Sequence, residues 1–256
     1  MLKNKRGIIF GIANDHSIAW GIAKNFIKNG AQIAVTYQND VLLKRVQPLA
    51  KSINVDQIIE CDVSEKESVK NCFKKLQSKW SSIDFVVHAI AYSDKNELAG
   101  RYIDTTSDNF LNSLNISCYS FTSILKEASK LMENGGSAIT LTFHGSTKVM
   151  PNYNVMGIAK AALETSVKYL SVDLGLNNIR VNAISAGPMR TLSGAAISDA
   201  RKVFQHTKKY SPLGRNVDLE ELGNTALYLV SDLSSGVTGE ILYVDCGYNI
   251  IGMPNI

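Results

Sequence analysis

The sequence predicts an α/β fold, a parallel sheet covered by helices on both faces, and three observations predict it. Short continuous apolar runs, beginning with Gly7-Ile8-Ile9-Phe10-Gly11-Ile12-Ala13, lack the alternation of a half-exposed strand and suit strands buried on both sides. Those runs alternate with amphipathic helical stretches along the whole chain. The first strand-to-helix connection carries a glycine and a serine, Gly11 and Ser17, where such sheets bind ligands outside the carboxyl ends of their strands.

Taken in order, strands are expected at 7–13, 31–37, 57–61, 83–89, 137–143, 179–184 and 240–244. Helices are expected at 18–26, 40–52, about 64–79, 107–132 as one long or broken helix, and from Tyr153 to about 175. Right-handed strand–helix–strand crossovers then give a single Rossmann-like, doubly wound domain over 1–256 with a seven-stranded parallel sheet flanked by helices on both faces.

Composition agrees with one domain: 256 residues, 45% hydrophobic and 20% charged, with no Pro/Gly/Ser-rich linker, repeat or charge block. Twenty-seven basic against 23 acidic residues leave a net charge of +4 without a dense basic stripe, so no nucleic-acid partner is expected. Cys61, Cys72, Cys118 and Cys246 have no metal-ligand spacing and read as reduced thiols of a cytoplasmic protein. His16, His88, His144 and His206 share no ligand spacing either, so no metal is expected. No apolar run reaches membrane-spanning length, and the N-terminus lacks a cleavage site.

Gly11 lets the backbone approach a ligand, Ser17 can cap the following helix or meet phosphate, and Gly21 lets that helix pack closely on the strand. The N-terminal N–H groups of the helix suit a pyrophosphate, although this is not a G-x-G-x-x-G fingerprint. At the end of the second strand, where a dinucleotide fold reads the adenosine ribose, stands the neutral Gln38. No cation directly follows it to meet a 2′-phosphate, which favours NADH over NADPH; Lys44 and Arg45 lie nearby.

Tyr153 and Lys160 are seven residues apart, about 20° short of two helical turns, so on a helix their side chains leave one face about 10 Å apart. A phenol of ordinary pKa about 10 donates poorly unless a cation stabilises the developing phenolate, and Lys160 can be that cation or hold sugar hydroxyls. On spacing alone, Tyr153 can also merely start a helix beside Pro151, with Lys160 solvated on its outer face.

Taken together, Gly11-Ile12-Ala13 with Ser17-Ile18-Ala19-Trp20-Gly21, Thr36-Tyr37-Gln38-Asn39-Asp40, Cys61-Asp62-Val63, residues 151–160 and residues 181–191 resemble the bacterial NADH-dependent enoyl-acyl carrier protein reductases. These are a divergent branch of the short-chain dehydrogenase/reductase superfamily. Ordinary members carry lysine four residues after the tyrosine, where this chain has Gly157.

The resemblance implies that Gly11, Ser17 and Ile18 line the pyrophosphate, Gln38 sits near the adenosine, Asp62 and Val63 hold the adenine, and Ile90 touches the cofactor. It also implies that Lys160 holds the nicotinamide ribose and that Met189, Arg190, Thr191, Leu192 and Ser193 pack on the nicotinamide, leading into a helical substrate loop at about 191–210. Tyr153 would donate to the thioester oxygen of a trans-2-enoyl substrate in the last reductive step of fatty acid elongation.

Ser93, Phe143 and Met156 fall at substrate positions, and an acyl pocket is expected from Tyr92, Phe143, Met150, Met156 and Phe204. Phe143 replaces the second active-site tyrosine of most of the family, as it does in one branch of it. Arg201 and Lys202 match basic positions expected to meet acyl carrier protein, though such charges also suit a solvated helix face. The family further implies a homotetramer with 243–256 near subunit contacts and its apolar tail buried. Asn115 is expected to be structural. The alternatives are a 3-oxoacyl reductase or other short-chain dehydrogenase, whose serine offset is occupied by Thr140, and a non-catalytic nucleotide-sensing protein.

Overall fold

The structure is a computed structural model and describes residues 1–195 and 198–253, without the side chains of Ser193 and Ala195. Seven strands form one sheet: β1 (Arg6–Phe10), β2 (Gln32–Tyr37), β3 (Ile58–Glu60), β4 (Phe85–His88), β5 (Gly136–Thr142), β6 (Ile179–Ala186) and β7 (Ile241–Val244). They lie in the order β3-β2-β1-β4-β5-β6-β7 and all pair in parallel. The order reverses between β1 and β4, which places the ligand crevice at their carboxyl ends.

The expected continuous apolar strands are explained by two cores. Ile9, Val35, Phe85 and Val87 face one side, against α1 (Ile18–Lys28), α2 (Asp40–Ser52) and the later helix 219–230. Ile8, Phe10, Ala34 and Val86 face the other side. There they meet α3 (Lys66–Gln77), the helical stretch 107–131 and the long helix that follows Tyr153. Successive side chains on one strand thus enter opposite cores, and neither face tolerates a polar alternation.

The stretch expected at 107–132 is broken: α4 (Ser107–Leu114) gives way to a π-helical turn at Asn115–Tyr119, then α5 (Ser120–Ala128). Asn115 opens that turn, in keeping with a structural part. The helix after Tyr153 is α6 (Asn154–Gly175), and the substrate-loop segment holds α7 (Leu192–Ala195) and α8 (Ala200–Tyr210).

One helix went unread in the sequence, α9 (Leu219–Val230). Its signal is present: Asp218 accepts from the Glu221 amide at 2.9 Å while Glu221 accepts from the Asp218 amide at 3.0 Å, a reciprocal cap. This helix corrects the role expected of Gly21. A side chain there would meet not the strand but Leu219, whose carbonyl oxygen lies 2.9 Å from the place of a β-carbon.

In the single chain Ile250 and Met253 of the C-terminal tail are 73% and 77% exposed; residues 254–256 lie outside the described part. Among the described residues no helix is long and apolar enough to cross a membrane.

Candidate active site

At the switch point Gly11 adopts φ +100°, and a β-carbon there would stand 2.1 Å from the Ala89 carbonyl oxygen. Only glycine permits this approach of the ends of β1 and β4. The turn beyond is tied by Ser17, whose hydroxyl accepts from the amides of Ala13 (3.0 Å) and Asn14 (3.1 Å) and donates to the Asn14 side chain at 3.2 Å. Ser17 stands at the N-cap of α1 but makes no ordinary capping bond, so its hydroxyl shapes the loop while the first amides of α1 remain for a ligand.

A cavity of about 1140 Å³ runs from this turn along the carboxyl edge of the sheet. Gly11, Ser17, Ile18 and Ile90 line it, and so do Met189, Arg190, Thr191 and Leu192. The Ser193 side chain lies outside the described part. Gln38, Asp62 and Val63 do not line this cavity; they sit farther along the same edge, after β2 and β3. Gln38 donates to Asp62 at 3.0 Å, and Ser64 donates to Asp62 through both its amide and its hydroxyl. Burial opposes the Asp62 charge, but these hydrogen bonds outweigh it and hold its pKa below the ordinary value. A fixed anion beside Gln38 disfavours a 2′-phosphate, which agrees with NADH.

Tyr153 and Lys160 both line the cavity, and both are buried, 7% and 5% exposed. Tyr153 is not within the helix but at its N-cap position, and the asparagines on either side of it have positive φ, 58° at Asn152 and 33° at Asn154. Asparagine tolerates that region better than most residues. The same two side chains tie the turn to both loops over the cavity: Asn154 donates to the Glu97 carbonyl at 3.2 Å, and Asn152 to that of Ser198 at 3.0 Å. Neither tie was legible from the sequence, since each joins residues more than 40 positions apart.

The phenol is pressed from one side by Gly145, where a β-carbon would come within 2.5 Å of the Tyr153 ring, and met edge-on by Phe143 with centroids 5.1 Å apart. Gly157, at the place of the ordinary superfamily lysine, faces the Gly145 carbonyl oxygen, which would be 2.8 Å from a β-carbon. The lysine therefore stands a turn later, where Lys160 donates to the Leu141 carbonyl at 2.8 Å.

Burial, and secondarily the Glu164 carboxylate, raise the Tyr153 pKa, so the phenol keeps its proton. Burial lowers Lys160 to about 8, with Cys118 and Glu164 opposing. In the structure the Lys160 ammonium is bonded to the Leu141 carbonyl, and burial keeps the Tyr153 phenol protonated. Thr140, at the serine offset, is buried in β5 and paired with His88 at 2.8 Å, away from the cavity lining. Burial holds His88 neutral, with a pKa of about 3.

Tyr92, Phe143, Met150, Met156 and Phe204, the residues expected in an acyl pocket, all line the cavity wall. Ser93 also lines it and donates to Asn109 at 3.2 Å. Arg201 reaches the cavity rim, whereas Lys202 lies outside it and pairs with Asp199 at 3.0 Å.

The Enoyl-(Acyl carrier protein) reductase family model matches residues 11–249. The NADH-dependent enoyl-acyl-carrier-protein reductase 2 of Rhizobium meliloti is 58% identical over 256 residues, covering 100% of this chain and 96% of its own length. FabI from Candidatus Liberibacter asiaticus superposes with a TM-score of 0.97 at 56% identity, covering 99% of this chain and 98% of that one. The reductase from Anaplasma phagocytophilum, solved in complex with NAD, gives 0.96 at 56% identity over 100% of this chain and 97% of that one. With the reversal at Gly11, the displaced lysine and these matches, the chain belongs to the NADH-dependent enoyl-acyl carrier protein reductases.

Proposed function

We propose that Tyr153 and Lys160 carry the NADH-dependent reduction of trans-2-enoyl-acyl carrier protein by this chain, with the whole of it acting as one dinucleotide-binding and catalytic unit. The observation that carries the assignment is their joint burial on one cavity that continues to the Gly11 turn.

The site suits the dinucleotide: the glycine approach at the switch point and the unbonded amides of α1 fit a pyrophosphate, Gln38 and Asp62 an unphosphorylated adenosine, and Lys160 a ribose. Bound NADH supplies the hydride that adds to the β-carbon of the enoyl thioester. Negative charge then develops on the thioester oxygen, and Tyr153, a neutral phenol, donates its hydrogen bond there. Lys160 holds ribose hydroxyls and places its positive charge beneath the site. Protonation of the α-carbon completes the saturated acyl chain. Phe143, Met150, Met156 and Phe204 keep water from that chain, and Ser93 and Tyr92 close the pocket from the loop after β4.

Three further readings accompany this one. Carrier protein, an acidic partner, would meet Arg201 and Lys202 on α8. A homotetramer would cover the apolar stripe of Tyr169 and Val172 on α6 and Leu176 at its C-cap, with Leu111 and Tyr119 of the neighbouring helical stretch; all five are at least 60% exposed in the single chain. We place the enzyme in the cytoplasm, where NADH is supplied, and its four free thiols, three of them buried, suit that compartment.

The test is loss of NADH absorbance with crotonyl thioester, repeated with NADPH and with a 3-oxoacyl thioester. Consumption of NADH with the enoyl substrate alone is expected. Preference for the 3-oxoacyl thioester would favour the alternative dehydrogenase, and no turnover at all a nucleotide-sensing protein.

A further inference from the structure

Glu164 is a carboxylate that the chemistry above does not use, yet it is only 9% exposed. A buried carboxylate is costly unless it is hydrogen-bonded and balanced by charge. Its hydrogen bond comes from Thr142, whose hydroxyl donates at 2.6 Å. Lys160 stands four residues earlier on α6, a spacing that puts both side chains on one face, and the Glu164 charge acts on its ammonium through space rather than in a direct ion pair. Lys160 in turn donates to the carbonyl of Leu141, the residue before Thr142. Two adjacent residues of β5 are therefore held by two successive turns of α6, and the next residue is Phe143, whose ring meets that of Tyr153.

We propose that Glu164 is a positioning residue for the reaction: its carboxylate, clamped by Thr142, keeps Lys160 charged and aimed into the cavity, and so sets the upper pH limit of NADH binding and turnover. The inference rests on the part given to Lys160 above.

Of the other groups around the pair, Cys118 also favours the Lys160 charge, and ahead of Glu164. From β4 comes His88, buried and neutral; from the π-helical turn the Cys118 thiol; from the start of α6 the neutral Tyr153. From the turn 144–146 comes His144, where burial keeps the ring neutral and Asp245, Lys148 and Glu164 contribute opposing charges. Among the described residues Glu164 is the carboxylate that opposes the loss of the Lys160 proton, which burial has already brought to about pH 8. Without that charge the ammonium would lose its proton at lower pH still.

The experiment measures kcat/KM for NADH with crotonyl coenzyme A across pH, since this quantity reports groups of the free enzyme. Glu164→Gln keeps the length and the acceptor oxygen for Thr142 but removes the charge. Its alkaline limb is expected to move about one unit towards lower pH, giving about tenfold less activity on the alkaline side and little loss below neutrality. Glu164→Asp should return the limb towards its wild-type place. If Glu164→Gln does not fold, Glu164→Met takes the same measurement, since an apolar side chain of similar volume is tolerated in place of a buried ion. A limb that stays in place, or a loss uniform over the whole pH range, overturns the proposal. Absence of any NADH oxidation by the wild-type enzyme would instead overturn the assigned function and leave a Glu164 effect on NADH affinity still measurable by fluorescence.

Discussion

Tyr153 holds its proton because the cavity floor offers its phenolate no solvation, and a neutral phenol is the form that can donate to a developing oxyanion. Tyr153→Phe removes that donor and should lower turnover by about 10² to 10³, with NADH affinity, read by fluorescence titration, little changed. Lys160 has the opposite balance: burial weakens its hold on the proton to about pH 8. In the proposed role its charged form donates to a ribose, so NADH affinity should be flat below that pH and fall above it. Lys160→Met should weaken binding throughout and abolish the dependence, which titrations on either side of pH 8 would show. The stability sign differs from the binding sign. A lysine whose folded pKa is depressed destabilises the fold while charged, and that cost is relieved between about 8 and its ordinary value of about 10.4.

Packing between elements decides where those two side chains can stand. The turn 144–146 lies so close to α6 that position 157 has no room for a side chain, and Gly145 has none against the phenol. Gly157→Ala forces either the turn or the helix to shift, which should cost about 1–3 kcal/mol of stability, measurable by chemical denaturation, and displace Tyr153 enough to lower kcat. Strands and helices were legible in the sequence wherever their own residues carry the signal: the run 40–52 matches α2 residue for residue. A break in 107–132 was among the expectations, but its form as a π turn at Asn115–Tyr119 and the meeting of Gly21 with Leu219 were not legible, because a π turn and a helix–helix contact depend on what lies across the sheet.

At the scale of the whole molecule, two surfaces stand out among the described residues of the single chain. The stripe of Tyr169, Val172 and Leu176 is apolar and exposed along α6 and its C-cap, and a second copy would bury it. Val172→Glu/Leu176→Glu should therefore shift sedimentation towards smaller species at micromolar concentration; an unchanged profile would remove this stripe from the interface. Arg201, at the start of α8, lies on the cavity rim and Lys202 next to it in the chain, and the proposed docking of an acidic carrier uses both. Arg201→Glu/Lys202→Glu should raise KM for enoyl-acyl carrier protein by at least about tenfold while leaving KM for crotonyl coenzyme A nearly unaltered. Equal losses with both substrates would mean that the pair acts on the pocket and not on the carrier.

The alternation of strands and helices, α9 excepted, follows from the amino-acid sequence itself, because it is written in neighbours within a turn or two, where periodicity acts directly. The departure from ordinary superfamily spacing at Gly157 and the pairing of Tyr153 with Lys160 follow from the sequence only through its resemblance to a family. Tertiary structure alone decided that Lys160 bonds the Leu141 carbonyl instead of the phenol, that Glu164 lies beneath it on Thr142, and that asparagines 152 and 154 fasten the catalytic turn to both loops. Those contacts join residues far apart in the chain, and their energies depend on burial, which only the folded sheet and its two cores create.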